Sequence, residues 1–142
     1  ILNGKPDGLW RIFYESGKMA GAVNYLNGMA DGEAMYYYDN DQQTTRAEVT
    51  YVEDLIDGVY REFYENGMRK ASVAYKQGKP HGEAEFYYDS GIPKIEGRYE
   101  EGLKTGKWVH FTETGDVMDK EKWKREKKAR TGATEKQRNM AN

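Results

Sequence analysis

The side chains best equipped for chemistry in this chain are two histidines, His81 and His110, and the acidic run Asp39-Asn40-Asp41. His81 precedes Gly82 where the first three copies of the same dipeptide carry Asp and the fifth carries Thr, and His110 lies beside Trp108 and Phe111. The two fall in different segments, and the chain has no Cys. A metal or nucleophilic site needs several convergent ligands or a base paired with a nucleophile, so they read as a turn residue and a sheet residue. Asp39-Asn40-Asp41 is similar to the start of a calcium loop but lacks the Gly and terminal Glu that such loops require. It reads as a solvated turn. The 16 glycines form neither GxGxxG nor GxxxxGK[ST]. No cofactor or metal is expected, and the function is expected to be non-enzymatic.

Tyrosine runs are the other candidates. Tyr36-Tyr37-Tyr38 and Tyr87-Tyr88 could stack a base or a sugar ring, but neighbouring residues of a strand point to opposite faces, so no run forms one platform. Carbohydrate or lipid binding remains a distant alternative.

The elements that position these residues follow from a repeat. Gly8, Gly32, Gly58, Gly82 and Gly106 are separated by 24, 26, 24 and 24 residues. Tyr25, Tyr51, Tyr75 and Tyr99 keep the same phase, and Trp123 lies 24 residues further on. Five units result, at about residues 1–24, 25–50, 51–74, 75–98 and 99–123. A second signal recurs as Ser16-Gly17, Asn66-Gly67, Ser90-Gly91 and Thr114-Gly115; the second unit replaces it with Asp39 to Gln43, which predicts a longer, irregular turn.

Short segments rich in Tyr, Phe and Val between such dipeptides predict β-hairpins with two-residue turns, joined by looser connections such as Gln77 to Gly82. The expected fold is all-β: an elongated antiparallel meander of ten strands in five stacked hairpins. A two-residue turn at Ser16-Gly17 sets Tyr14 opposite Met19, Ile12 opposite Gly21 and Trp10 opposite Val23. One face then collects Trp10, Ile12, Tyr14, Met19, Val23, Tyr60, Tyr64, Ala71 and Val73 and should be buried. The other collects Arg11, Lys18, Ala20, Ala22, Arg61, Met68, Lys70 and Ser72 and should be wet. Phe13, Tyr37, Phe63, Tyr87 and Phe111 break this division, because an aromatic residue falls on the polar side in every unit. They form either packing between hairpins, rotated there by bulge or twist, or a partner-binding row.

Composition bounds the function. The 142 residues have a mean hydropathy of -1.01, which disfavours a large aliphatic core. No apolar run approaches the roughly 20 residues of a membrane-spanning helix. The net charge of -2 conceals an asymmetry: residues 119–142 hold nine Lys or Arg against four Asp or Glu, leaving about -7 for residues 1–118. An acidic body argues against binding a phosphate backbone. The chain begins at Ile1 inside a repeat and without Met, the trace that a cleaved signal or a trimmed N-terminus leaves.

The pattern NGKPDGLWRIFYESG at residues 3–17 and QGKPHGEAEFYYDSG at 77–91 resembles the MORN repeat variant of the bacterial YwqK-type antitoxin family. The resemblance covers residues 1–123 and implies stacked hairpins, a protein-interaction role and, by the antitoxin label, a toxin as partner. It implies a bacterial source, with the compartment, cytoplasmic or exported, left open. Asp54-Leu55, where other units place Gly, is a departure.

Residues 124–142 form a basic tail, helical or disordered, with the helix expected to begin near Asp119. Lys124, Arg125, Lys127 and Lys128 are its candidate contacts for nucleic acid or an anionic membrane; docking across the sheet edge with Trp123 as anchor is the competing reading. The leading expectation is an interaction scaffold that binds another protein or a second copy of itself.

Overall fold

Two kinds of turn alternate along the chain, and the dipeptide signals assign them in reverse. Within a unit the loop has three residues, as at Glu15-Ser16-Gly17, where Tyr14 N–H donates to Lys18 O and Gly17 N–H donates to Tyr14 O, each at 2.9 Å. Between units the turn has two residues, Asn27-Gly28, Glu53-Asp54, Gln77-Gly78 or Glu101-Gly102, each with positive φ at both positions. That is the signature of the type I′ turn, whose twist matches a hairpin. Gly82 makes no turn at all. It sits with φ 120° in a bulge where His81, Gly82 and Glu83 face Ala74 alone, and a Cβ there would lie 2.9 Å from Ala74 Cβ.

The computed structural model describes residues 4–123. These turns link β1 (Gly8–Phe13), β2 (Met19–Leu26), β3 (Met29–Tyr37), β4 (Thr45–Val52), β5 (Leu55–Ile56), β6 (Gly58–Phe63), β7 (Arg69–Lys76), β8 (Lys79–Tyr87), β9 (Pro93–Glu100), β10 (Leu103–Phe111) and β11 (Val117–Trp123). All neighbours pair antiparallel in one open sheet, in chain order, with the two-residue β5 held beside β4. The five-hairpin meander is as expected, with β5 as an eleventh strand. The expected helix from Asp119 is corrected: through Trp123 the chain is strand β11, because its backbone pairs with β10 from Gly106 to Phe111. Residues 124–142, with the four candidate basic contacts, lie outside the described residues.

A bulge in the strand that follows each loop within a unit revises the register. Trp10 and Ile12 face Val23 and Gly21 as expected, but Phe13, not Tyr14, faces Met19, and Ala20 is the extra residue. The equivalents of Ala20 are Arg46, Lys70, Lys94 and Met118. Met19 therefore belongs with Phe13, and Lys70 turns to the core face, its ammonium 5.5 Å from the centre of the Tyr64 ring. Arg46 and Lys94 lie likewise 5.6 Å from Tyr36 and Tyr88. Bulges are known to re-aim a side chain in this way.

The core is a row of small residues under a layer of rings. Val23, Ala34, Ala47 and Val49 are buried beneath Tyr25, Tyr36, Tyr51 and Tyr60; Val73, Ala84 and Trp108 are buried with Tyr75, Phe86 and Tyr99. Gly97 takes the place of Val73 because the Trp108 ring lies on it, and a Cβ there would be 2.0 Å from Trp108 Cδ2. Val23, Ala71 and Val73 are buried as expected, whereas Trp10 and Ile12 are exposed because, among the described residues, β1 pairs with β2 alone.

Side chains bind each unit to the next. Tyr14, Tyr38, Tyr64 and Tyr88 donate their hydroxyls to the carbonyls of Tyr37, Phe63, Tyr87 and Phe111, at 2.5 to 2.7 Å. At the opposite end, the turn amides of Gly28, Gly78 and Gly102 donate to Pro6, Ile56 and Pro80. Asp54 explains the departure at the third unit. Its N–H donates to Ala30 O at 2.8 Å, and its carboxylate accepts from Ala30 N–H at 2.7 Å, a donor that Pro6 and Pro80 do not possess.

Two outcomes follow from these links. Tyr64→Phe should lower unfolding free energy by about 1 kcal/mol, the usual net worth of one hydrogen bond, as measured by urea titration. Asp54→Gly relieves an unfavourable φ but strands the Ala30 amide, at a net cost of about 1 kcal/mol. Ala30→Pro in the Asp54→Gly background should recover it, a coupling that a double-mutant cycle detects.

Candidate protein-binding surface

Strand alternation and the bulge together place Phe13, Tyr37, Phe63, Tyr87 and Phe111 on the face opposite the core row. Each is the last residue of its strand and the first beyond the bulge. The bulge does not rotate them into the core. In Tyr37, Phe63, Tyr87 and Phe111 the carbonyl accepts the hydroxyl of the tyrosine of the preceding unit. Phe13, on the edge strand, is 58% exposed, and the other four are half-buried. The structure therefore arranges all five in a row on one side of the sheet.

Between the third and fourth units this row borders a groove of about 450 Å³ lined by Phe63, Gly67, Met68, Arg69, Tyr87 and Gly91. Met68 is exposed, and its methyl group lies beside Gly91. The Tyr87 hydroxyl donates to Glu85 at 2.8 Å; burial and then this carboxylate push its pKa up, with Arg69 acting the other way. The groove thus joins two rings and a thioether to a guanidinium. Met68 and Arg69 were not among the sequence candidates, and the position of Met68 directly after the Asn66-Gly67 signal was the available clue.

The core face holds a second groove, of about 530 Å³, that sequence reasoning missed. Tyr36, Tyr51, Tyr60 and Tyr75 line it together with Glu62 and Arg46. The hydroxyls of Tyr36 and Tyr51 bond to one another at 3.2 Å, and Tyr60 donates to Glu62 at 2.5 Å. Burial, then the Tyr51 bond, raises the Tyr36 pKa to about 12, and burial followed by the Glu62 carboxylate raises that of Tyr60. The signal lay in the row Trp10, Ala34, Tyr60, Ala84 and Trp108: a small residue in even units leaves space beside the large ones in odd units.

The chemistry-bearing residues have structural partners. His81 Nδ1 accepts the Glu101 N–H at 3.0 Å, much as Asp7 and Asp31 accept from Asn27 and Glu53. His110 Nε2 lies 3.3 Å from Glu121 across β10 and β11. Asp39 accepts from Ser16 and Asp41 pairs with Lys18. Among the described residues no group of three His, Asp or Glu is placed to hold a metal ion. The long second turn is as irregular as expected, and Gln43 reaches from it to bond both Met19 N–H, at 3.0 Å, and Met19 O, at 3.3 Å.

The tyrosines make a pH prediction. Unfolded tyrosines ionise near pH 10, whereas Tyr36 in the sheet keeps its proton to about pH 12. Over that interval the folded state binds more protons than the unfolded one, so stability falls as pH rises. Urea midpoints should drop above about pH 10, in step with tyrosinate absorbance, and Tyr36→Phe should make the decline shallower.

Residues 6–27, 56–77 and 80–101 match the family model described as the MORN repeat variant. Each match begins at the residue whose carbonyl accepts the turn amide, Pro6, Ile56 or Pro80, and ends at the first residue of that turn, Asn27, Gln77 or Glu101. The family pattern thus coincides with the segment that this hydrogen bond closes. Among curated proteins no sequence matches the chain. The matched segments make up somewhat under half of its length, and these three segments are similar to MORN-variant repeats.

Proposed function

We propose that this protein is a non-enzymatic interaction scaffold, and that it takes a partner protein on the face bearing Phe13, Tyr37, Phe63, Tyr87 and Phe111. The groove between Phe63 and Tyr87 carries this reading: rings and the Met68 thioether accept apolar side chains, and Arg69 offers a charged anchor at the rim. MORN repeats in general serve interaction with proteins or membranes, which agrees with it. The surplus of negative charge on residues 1–118 favours a partner with a basic rim. Toxin neutralisation, implied by the YwqK-type resemblance, is the special case in which that partner is a toxin. It requires both protection on co-expression and a stable complex.

The test starts with affinity capture on the full chain, identification by mass spectrometry and titration calorimetry against the purified partner. Phe63→Ala combined with Tyr87→Ala should weaken binding at least about 100-fold, as removal of central aromatic anchors does, with the circular dichroism of the sheet unchanged. Unimpaired binding by the folded variant would place the contact elsewhere; loss of folding would show the two rings to be structural.

A further inference from the structure

The row of rings has a spatial period. Tyr37, Phe63, Tyr87 and Phe111 close β3, β6, β8 and β10, and one strand, β4, β7 or β9, separates each from the next. The longer second turn absorbs the extra chain, so the step stays the same although 26 residues separate Tyr37 from Phe63 and 24 separate the later rings. Two inter-strand spacings make that step about 9.6 Å. Between consecutive rings stands the residue paired with the earlier one, Thr45, Arg69 or Pro93. The groove bounded by Phe63, Tyr87, Arg69 and Met68 is one such slot.

A ligand running along the row must present one group per slot, always from the same side. An extended β-strand cannot, because residues three apart, at about 9.9 Å, point to opposite faces. An α-helix returns to the same side after seven residues, about 10.5 Å, and overshoots three successive rings by about 2 Å. A polyproline II helix presents every third residue along one edge at about 9.3 Å. Its carbonyls make no internal hydrogen bonds, and the Arg69 guanidinium and Thr45 hydroxyl stand between rings as donors. Beside the slot, Glu85 lies directly opposite Glu96 on the ring face, an unfavourable pairing of like charges. Glu85 accepts the Tyr87 hydroxyl at 2.8 Å, and among the described residues neither carboxylate forms an ion pair with Lys or Arg. We propose that the row takes a proline-rich segment of a partner in the polyproline II conformation, with prolines in the slots and Lys or Arg over Glu85 and Glu96. This assignment rests on the ring face being the interaction surface proposed above. Such a segment has little conformational entropy to lose on docking.

The probe is a synthetic peptide of four Pro-Pro-Lys triplets, titrated into the full chain by calorimetry and by NMR. Shifts should centre on Tyr37, Phe63 and Tyr87. Binding should be at least about tenfold tighter than that of four Gly-Gly-Lys triplets, which carry the same charge without the preformed helix. Four Pro-Pro-Glu triplets should bind at least about tenfold more weakly than the Pro-Pro-Lys peptide. Phe63→Ala with Tyr87→Ala should weaken the Pro-Pro-Lys peptide about tenfold or more; Met68→Lys, at an exposed position, should do the same and serves if the double variant does not fold. Equal binding of the Gly-Gly-Lys peptide, shifts on the core face, or undiminished binding by the folded variants overturns the proposal, as does no binding at millimolar peptide. A preference for a helical peptide of the same charge, or a partner captured through Phe63 and Tyr87 while the peptide fails to bind, overturns this inference and leaves the scaffold reading standing. Capture that never depends on those two rings counts against the scaffold reading instead.

Discussion

Among the described residues the sheet is one layer thick and no second layer closes its core, so each hairpin depends on the hairpin beside it. The tyrosine hydroxyl bonded to the next unit's carbonyl is the interaction on which this arrangement rests. It recurs at Tyr14, Tyr38, Tyr64 and Tyr88 and spans 23 to 25 residues of chain each time. The turn amides of Gly28, Gly78 and Gly102 and of Asp54 do the same at the opposite end of the strands. Backbone pairing alone would permit the units to slip; links at both ends hold the register.

Between those ends lies a thin core. Large and small residues alternate from unit to unit, so that the rings of Trp10, Tyr60 and Trp108 have Ala34 and Ala84 between them. The edge-to-face contacts of Trp10 with Tyr25, Tyr60 with Tyr75 and Tyr99 with Trp108 follow the same rhythm. Rings cover more area per residue than aliphatic side chains and reach polar groups at their tips. That is how a chain of such low mean hydropathy builds an ordered sheet. Among the described residues one face of the sheet presents aromatic rings and Met68, the other tyrosine hydroxyls and Glu62.

The bulge connects stability with surface chemistry. By adding one residue to the strand after each loop it turns Arg46, Lys70 and Lys94 toward the tyrosine rings of the core face. The aromatic at the strand end remains on the other side, anchored by its carbonyl. A side chain whose backbone is held in this way is pre-positioned for binding, which reduces the entropy lost when a partner docks.

The 24-residue period, the all-β class and the serial order of the strands were legible in the sequence, because turn glycines and strand aromatics are local requirements of the backbone. The irregular second turn was legible for the same reason: Asp39 to Gln43 lacks the dipeptide of the other units. Phe13, Tyr37, Phe63, Tyr87 and Phe111 could be assigned to the polar face by alternation alone. Which dipeptide closed a two-residue turn, and where the extra residue lay, could not be read locally. Both depend on hydrogen bonds between units, such as Gly28 to Pro6. The strand at Asp119–Trp123 was hidden because its charged residues favour helix as an isolated segment, and only pairing with β10 overrides that preference. Phe63, Met68 and Arg69 of the third unit meet Tyr87 and Gly91 of the fourth, and the four tyrosines of the core face come from three units, so their meeting in grooves was decided by tertiary stacking and not by spacing.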